Sequence, residues 1–262
     1  MLTNFTFFVS FPHVEGYEEA DMFLFPKKQT LAESGFFHGF VDWHSHILSD
    51  VDDGVQTIEE TLKILAEYER LGVKEVWLTP HIMEDTPNTT VHLRERFAGL
   101  QAAYQGNVIL HLAAENMLDN LFEERLAKND LLPIGNKGDH LLVETSYFNP
   151  PMGLQNILMR IKAKGYYPIL AHPERYMYMG KDDYIRLKAL SVKFQLNLPS
   201  LTGMYMAEVE KKARWLLKNN LYDFTGSDLH RLTTWKENVF DKTIPRNTLR
   251  MLQGIAVTHS PK

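Results

Sequence analysis

The stretch Phe40-Val41-Asp42-Trp43-His44-Ser45-His46 begins with apolar residues and ends with two histidines separated by one residue. A short apolar run of this kind is typical of a buried β-strand. Successive side chains on a strand point to opposite faces, so both imidazoles can reach one point in space while Ser45 faces away. This spacing suits a metal ion, and the acidic residues Asp50, Asp52 and Asp53 follow at once.

A similar pairing of an acid and an imidazole two residues apart returns near the C-terminus, as Asp228-Leu229-His230. Between the two motifs, isolated histidines and glutamates follow apolar runs. Carboxylate oxygens and imidazole nitrogens are ligands for several divalent metals. The pattern therefore indicates a polynuclear metal centre assembled at several strand ends.

From about residue 38 onward, short apolar runs alternate with helical patterns, which is typical of βα units around a parallel sheet or barrel. Strands are predicted over residues 39–47, 75–79, 108–114, 141–145, 167–171, 193–198 and 222–225. Helices are predicted over residues 57–71, 91–104, 118–127, 154–164, 183–190, 205–219 and 247–252. Thr57 is the expected N-cap of the first helix with Glu60 as its capping-box partner, and Gly72, Gly165 and Asn220 are expected C-terminal caps.

These seven strands are one short of the usual eight-stranded barrel. The predicted fold is therefore α/β, with a distorted seven-stranded (β/α) barrel. Function in such barrels collects at the C-terminal ends of the strands. The candidate ligands fall at those ends: His44, His46, His81, Glu115, Glu144, His172, Asp228 and His230.

The first 35 residues show no clear period and are interrupted by Pro12 and Pro26. We expect a poorly ordered leader over residues 1–35 and a single barrel domain over residues 36–262, a length that can bury a sizeable core. The stretch from Met22 to Lys28 resembles a natural start. Residues 1–21 are therefore expected to be disordered or to result from a start assigned too early.

The formal net charge is -5, from 28 Lys+Arg and 33 Asp+Glu. This balance gives no basic surface for general binding of nucleic acid or acidic lipid. The absence of cysteine excludes disulfides, thiolate-bound zinc, iron–sulfur clusters and cysteine nucleophiles. No run approaches the roughly 20 apolar residues of a membrane span, and residues 1–11 lack the basic start of a secretory signal. We therefore expect no membrane insertion and a cytoplasmic location.

Each candidate ligand also has a structural alternative. A single histidine at a strand end is more often hydrogen-bonded than metal-bound, and Glu115 or Glu144 could pair with an arginine. The coincidence of these signals at successive strand ends favours a metal site, because buried unpaired charges cost several kcal/mol each. The remaining histidines lack this context and are assigned no role: His13, His38, His92, His111, His140 and His259.

Five motifs together resemble those of the PHP (polymerase and histidinol phosphatase) superfamily. The nearest likeness is to its bacterial capsule-biosynthesis branch of manganese-dependent tyrosine-protein phosphatases, the CpsB/YwqE type. The motifs are Asp42-Trp43-His44-Ser45-His46-Ile47-Leu48, Asp52-Asp53-Gly54, Thr79-Pro80-His81, Ala171-His172-Pro173-Glu174-Arg175 and Ser227-Asp228-Leu229-His230. The chain departs from the family pattern at Leu229 and Arg231, where alanine and asparagine are common, and this puts the shape of the substrate rim in doubt.

The resemblance implies a distorted seven-stranded barrel that holds three divalent metals, usually manganese, with iron or zinc as alternatives. Carried over by motif, the first ion would be held by His44, His46 and Asp228 together with Glu115. Glu115 would bridge to a second ion, completed by Glu144 and His172. The third ion would be held by Asp53, His81 and His230.

The resemblance also implies a metal-dependent phosphomonoesterase that hydrolyses protein phosphotyrosine, with a tyrosine kinase of capsular or exopolysaccharide synthesis as its expected substrate and partner. Without cysteine, this chemistry must be metal-based. Metals lower the pKa of bound water from about 15.7 toward roughly 7, so hydroxide can attack phosphorus at neutral pH. Arg175 is the expected phosphate clamp, with a salt bridge to Glu174 or a neighbour as the alternative, and Arg231 is a weaker candidate.

Other functions stay open at this point. A small-molecule phosphatase of the histidinol-phosphate type would use the same chemistry. A non-catalytic module is the weakest alternative because every expected ligand is present, and the charge balance disfavours a nuclease. Several rim aromatics could stack on a tyrosyl ring, with ordinary packing as an equal alternative: Tyr147, Phe148, Tyr176, Tyr178 and Tyr205.

Overall fold

The computed structural model describes residues 28–258, and side chains up to residue 255. Within this range the strands are β1 Lys28–Thr30, β2 Val41–Ser45, β3 Glu75–Leu78, β4 His81–Ile82, β5 Ile109–Leu112, β6 Glu115–Met117, β7 His140–Glu144, β8 Tyr167–Ala171, β9 Lys193–Asn197, β10 Phe224–Gly226 and β11 Thr243–Pro245. The α-helices are α1 Ile58–Leu71, α2 Thr90–Ala103, α3 Asn120–Lys128, α4 Leu154–Ala163, α5 Lys181–Ala189, α6 Ala207–Lys218, α7 Leu232–Lys236 and α8 Arg246–Thr258. Two 3-10 turns, Pro173–Arg175 and Leu198–Leu201, follow β8 and β9.

Parallel strands form a curled sheet in two parts. One part has the strand order β2-β3-β5 and the other the order β10-β9-β8-β7-β6-β4. The loop after β10 closes against the end of β2, because the backbone N–H of His46 donates to Leu229 at 2.9 Å and that of Asp228 donates to His44 at 2.8 Å. The carboxyl ends of β2 and β10 therefore lie side by side.

Each of the seven predicted strand regions contains a strand, but the structure does not form a continuous seven-stranded barrel. The region from β3 to β4 and the region from β5 to β6 are each broken, and their halves belong to different parts of the sheet. Pro80 lies at the first break and has no N–H to donate to a neighbouring strand. The fold is therefore mixed α/β with a curled parallel sheet. The predicted seven-stranded barrel is not confirmed.

The segment 28–35, which the sequence assigned to the leader, packs with the rest of the fold. β1 pairs antiparallel with β11. Leu31 is buried in the same core as Ile244 and Leu252. Residues 1–27, with the remainder of the predicted leader and the suggested start at Met22, lie outside the described residues, as does His259.

Apolar side chains form two cores. The larger one packs the helices against the sheet, and each of α1 to α8 contributes to it at least one buried side chain. The smaller one contains Trp43, Trp77 and Phe224, with the two indole rings stacked 5.7 Å apart. Burial of this apolar surface is the main stabilising contribution to such a fold.

The ends of α1 follow the predicted signals. The Thr57 side chain accepts from the backbone N–H of Glu60, and Gly72 ends the helix with a φ of 82°. Glu60 does not complete the predicted capping box; its carboxylate accepts from the backbone N–H of Leu232 at 3.3 Å and so joins α1 to α7. The other predicted caps also have positive φ: Gly165 and Asn220.

No helix in the described part of the chain combines the length and apolar character that crossing a membrane requires.

Candidate metal centre

The predicted ligands converge at the carboxyl ends of the parallel strands. Their donor atoms form four overlapping groups, and within each group the atoms lie within 4.8 Å of one another. The groups are His44, His46 and Asp228; His44, Glu115 and His172; His81, Glu115 and Glu144; and His46, Asp53, His81 and His230. The structure thus brings together every residue of the predicted set, and their role as metal ligands stays a prediction.

The carboxylate of Glu115 lies at the middle of the cluster. Its Oε2 is 3.1 Å from His44 Nε2 and 3.3 Å from His46 Nε2. Oε1 is 3.0 Å from His172 Nε2, and Oε2 is also 3.3 Å from His81 Nδ1. One carboxylate surrounded by four imidazole nitrogens is an arrangement suited to a bridging ligand.

The grouping differs in two respects from the division among ions that the resemblance implied. His46 belongs to the group around Asp53 as well as to that of His44. Glu144 lies 3.0 Å from His81 Nδ1 but 4.0 Å from His172 Nε2. The candidate ligand groups in the structure therefore overlap more than the three ligand sets that the resemblance implied.

Two histidines are oriented by residues that were assigned no role from the sequence. His44 Nδ1 lies 2.9 Å from Gln195 Oε1, and His46 Nδ1 lies 2.8 Å from Asp52 Oδ2. Such bonds fix the ring and its tautomer and leave each Nε2 directed at the cluster. The signals were present in the sequence: Asp52 belongs to the same acidic turn as Asp53, and Gln195 is a polar residue inside an apolar strand.

Replacement of Asp52 by alanine is expected to weaken metal binding and turnover about 10- to 100-fold, because His46 would lose its orienting partner. Metal titration and steady-state kinetics measure the two effects. Asp50→Asn in the same turn is the control, since the Asp50 side chain is 71% exposed and faces Arg96. Wild-type metal affinity in the Asp52→Ala variant would contradict this role.

Two candidate ligands adopt an unusual backbone conformation. His172 has a φ of 33° and Asp228 a φ of 49°, in the left-handed region that residues other than glycine seldom occupy. His172 follows β8 directly, and Asp228 lies just after β10. Both turn sharply out of their strands toward the cluster, and such strain concentrates at functional sites.

Gly226 in β10 gives His44 the space it needs. A Cβ at this position would lie 2.5 Å from the Cβ of His44 and 2.8 Å from Nε2 of Gln195. We therefore expect Gly226→Ala to lower the free energy of unfolding by about 1–3 kcal/mol and to reduce metal content. Urea unfolding and metal analysis test this against Gly99→Ala, where a Cβ meets nothing within 4 Å. An unchanged unfolding midpoint with full metal content would refute it.

The site carries an excess of negative charge. Burial alone would lower the pKa of His44, but the carboxylates of Glu115 and Asp228 raise it to about 9. Burial likewise lowers the pKa of His230, yet Asp53 and Asp228 raise it to about 9. For Glu115, burial favours a higher pKa and the surrounding imidazoles hold that pKa well below its usual range. Close carboxylate–imidazole pairs cause all three pKa shifts. A bound cation would neutralise the same negative charge.

Several buried polar atoms at the site have no hydrogen-bond partner among the described residues. His172 Nδ1 lacks one, and His81 Nδ1 and Glu144 Oε1 form an ion pair at 3.0 Å but have no hydrogen bond of normal geometry. Buried polar atoms without partners are costly. The donor types and the separations of about 3 Å fit ligands that share a divalent cation, because metal–ligand bonds of about 2.0–2.2 Å place neighbouring ligands at such distances.

Arg175 lies beside the ligands and forms a different ion pair from the one considered in the sequence. Its Nη1 donates to Asp228 Oδ2 at 2.9 Å. The guanidinium carbon lies 4.3 Å from the ring centroid of Tyr147 and 4.5 Å from that of Tyr205. Glu174 is buried and accepts its hydrogen bonds from other residues. Arg175 is thus held between two aromatic faces and in contact with a candidate metal ligand.

An open cavity of about 420 Å³ lies over the cluster. Its polar lining includes candidate metal ligands and Arg175, and its apolar lining includes Met204, Leu229 and Trp235. Arg231 also lines this cavity and is exposed.

The five rim aromatics occupy different environments. Tyr147 and Tyr205 line the cavity and flank Arg175. Tyr176 is fully buried, so it cannot stack on a substrate. Tyr178 bonds with Thr145, and Phe148 is 67% exposed.

Two histidines that were assigned no role lie in other contacts. His111 pairs with Glu75 at 3.1 Å, and His140 pairs with Asp139 at 2.7 Å. Neither belongs to any of the four ligand groups.

Comparison with known proteins gives concordant matches. A family model described as capsular polysaccharide synthesis, CpsB/CapC, matches residues 40–241. Tyrosine-protein phosphatase CpsB of Streptococcus pneumoniae is 31% identical over 211 residues, which cover 73% of this chain and 83% of that protein. Tyrosine-protein phosphatase YwqE of Bacillus subtilis is 27% identical over 205 residues, which cover 74% of this chain and 78% of that protein.

The fold also matches a solved structure. It is similar, with a TM-score of 0.71 and 24% identity, to a chain from the crystal structures of YwqE from Bacillus subtilis and CpsB from Streptococcus pneumoniae, described as unique metal-dependent tyrosine phosphatases. The alignment covers 82% of this chain and 86% of that one. The structural likeness supports the fold, and the match over residues 40–241 establishes that this chain belongs to the CpsB/CapC family of capsular polysaccharide synthesis.

Proposed function

We propose that this chain is a metal-dependent protein-tyrosine phosphatase of capsular or exopolysaccharide synthesis. The observation that carries the proposal is the convergence of nine imidazole and carboxylate ligands beneath one open cavity. Relatives in the family bear the name tyrosine-protein phosphatase. The chain contains no cysteine, so hydrolysis here would not use a thiolate nucleophile.

The nine residues would hold a cluster of about three divalent ions, manganese first and iron or zinc as alternatives, since imidazole and carboxylate ligands suit these metals. When bound, such ions supply positive charge for the phosphoryl group and lower the pKa of water so that hydroxide is available near neutral pH. Gln195 and Asp52 would keep the Nε2 atoms of His44 and His46 directed at the ions.

Arg175 would bind the phosphate from the wall of the cavity. The flanking rings of Tyr147 and Tyr205 restrict its guanidinium, so little side-chain freedom is lost when an anion binds. One nitrogen stays with Asp228 while the others can donate to phosphate oxygens in a fork. Exposed Arg231 would add positive charge as the substrate approaches.

The substrate we propose is phosphotyrosine in a protein, with a tyrosine kinase as the expected partner. The apolar residues that line the cavity, Met204, Leu229 and Trp235, offer a surface for a phenyl ring. A tyrosyl phenolate is a better leaving group than an alkoxide, so a strong general acid is less necessary. The kinase partner and the cytoplasmic location stay predictions from the sequence.

A two-substrate assay tests the proposal. Manganese-loaded protein is expected to hydrolyse a phosphotyrosyl peptide with a kcat/KM at least about tenfold above that for histidinol phosphate. A phosphoseryl peptide of the same sequence is the control for the leaving group. Preference for histidinol phosphate would favour the small-molecule alternative, and hydrolysis of neither substrate would overturn the proposal.

A further inference from the structure

A second cavity lies between residues 177–184 and α6. It has a volume of about 390 Å³. Its apolar lining consists of Met177, Met179, Tyr184 and Trp215. Its charged lining consists of Lys181, Lys211, Lys212 and Glu208. We refer to it as the lysine cleft.

The lysine cleft is locally positive although the chain has a formal net charge of -5. Three ammonium groups face one carboxylate, which gives 3 − 1 = +2 in its lining. The single carboxylate, Glu208, lies 3.6 Å from Lys211, and both side chains are largely exposed. Lys181 Nζ lies 5.4 Å from the ring centroid of Trp215. The Asp183 carboxylate also acts electrostatically on Lys212, but it does not line the cleft; it accepts from the backbone N–H of Gly180 and pairs with Arg186.

The lysine cleft and the cavity over the metal cluster share a wall. Lys212 Nζ donates to the carbonyl of Tyr176 at 2.9 Å, and the Tyr176 ring lies 5.8 Å from that of His172. On the other side, Tyr205 lines the catalytic cavity and comes two residues before the start of α6. An extended chain advances about 3.3 Å per residue, so a peptide can cross this wall within a few residues.

We propose that the lysine cleft docks an acidic stretch of the phosphoprotein substrate, with carboxylates a few residues from the phosphotyrosine. Ammonium groups of Lys181 and Lys211 would pair with glutamate or aspartate side chains. The lysine stems and the Trp215 ring would cover their aliphatic parts. This inference rests on the proposed function, because it assumes that the phosphotyrosine of the same peptide enters the catalytic cavity.

Three phosphotyrosyl peptides test it: one with glutamates before the phosphotyrosine, one with glutamates after it, and one with glutamines at both places. At low ionic strength, one glutamate peptide is expected to have a KM about three- to tenfold below that of the glutamine peptide, at similar kcat. The double variant Lys181→Gln and Lys211→Gln should remove this difference. Lys212 is left intact because its ammonium bonds with Tyr176 beside the active site.

The matched control is Lys63→Gln with Lys128→Gln, which also removes two positive charges; Lys128 pairs with Glu124 at 3.6 Å, as Lys211 does with Glu208. It should keep the preference for the glutamate peptide. Turnover of p-nitrophenyl phosphate should be the same in wild type and both double variants. If all three peptides are hydrolysed with the same KM, the docking site is overturned. If none of the peptides is hydrolysed, the result counts against the proposed function.

A direct binding measurement separates docking from catalysis. A fluorescent peptide with the same glutamates and unphosphorylated tyrosine is expected to bind wild type and the control variant about three- to tenfold more tightly than the Lys181→Gln and Lys211→Gln variant. High salt should weaken this binding because the charges are exposed. Equal affinity for all three proteins would overturn the proposal whatever the activity.

Discussion

Replacement of Glu115 by alanine is expected to lower phosphatase turnover by at least about a thousandfold and to remove bound metal. Its carboxylate stands between four imidazoles, with separations from their nitrogens of 3.0 to 3.3 Å. Glu115 belongs to two of the four ligand groups, so its loss disrupts more than one metal position. The fold should persist, because the imidazoles left without this carboxylate can stay neutral and so avoid an unpaired buried charge.

Turnover with added manganese, metal content and thermal unfolding are measured together on this variant. His46→Ala should behave in the same way, since His46 belongs to two of the ligand groups. Glu75→Ala is the control: Glu75 is a half-buried glutamate that pairs with His111, outside those groups. Full turnover in either ligand variant would show that the metal mechanism is wrong.

Arg175→Ala is expected to raise the KM for a phosphotyrosyl peptide about 10- to 100-fold, with a smaller effect on kcat. A hydrogen bond to a charged group contributes about 1.5–3 kcal/mol, and the guanidinium would make such bonds to the phosphate. Arg175→Lys should recover only part of the affinity, because an ammonium keeps the charge but not the planar fork. Steady-state kinetics with saturating manganese measure both constants.

Arg231→Ala provides the comparison for this effect, since Arg231 is an exposed residue that lines the same cavity. Its expected change in KM is smaller than that of Arg175→Ala because exposed charges are screened by solvent and salt. A lower kcat at unchanged KM in Arg175→Ala would instead place this residue in transition-state stabilisation alone.

The sequence predicted where strands occur better than how they join. Apolar runs located seven strands of the parallel sheet but not the short β4 and β6, because a buried strand needs such residues at most of its positions. At the breaks before β4 and β6, the two halves of one region pair with different neighbouring strands. Tertiary contacts determine this pairing. Pro80 was visible at the first break, but the second break, after Leu112, carries no comparable signal.

The candidate ligands could be predicted because their chemistry and their position coincide. Acids and imidazoles at the ends of parallel strands meet at one edge, whatever lies between them in the sequence. Gln195, which orients His44, was not assigned because it lies 151 residues away, whereas Asp52 lies only six residues from His46 and was visible in the acidic turn. Asn197 is a similar case, as its Nδ2 donates to Asp228 Oδ2 at 2.6 Å across 31 residues.

The number of divalent ions bound to each chain is the most direct test of the site. Protein purified without chelator and dialysed against buffer is analysed for manganese, iron and zinc, with folding checked on the same sample. About three ions per chain are expected, the number that the resemblance of the sequence motifs implies. A correctly folded chain that holds less than about one ion, even after incubation with each metal, would contradict a polynuclear metal centre at this site.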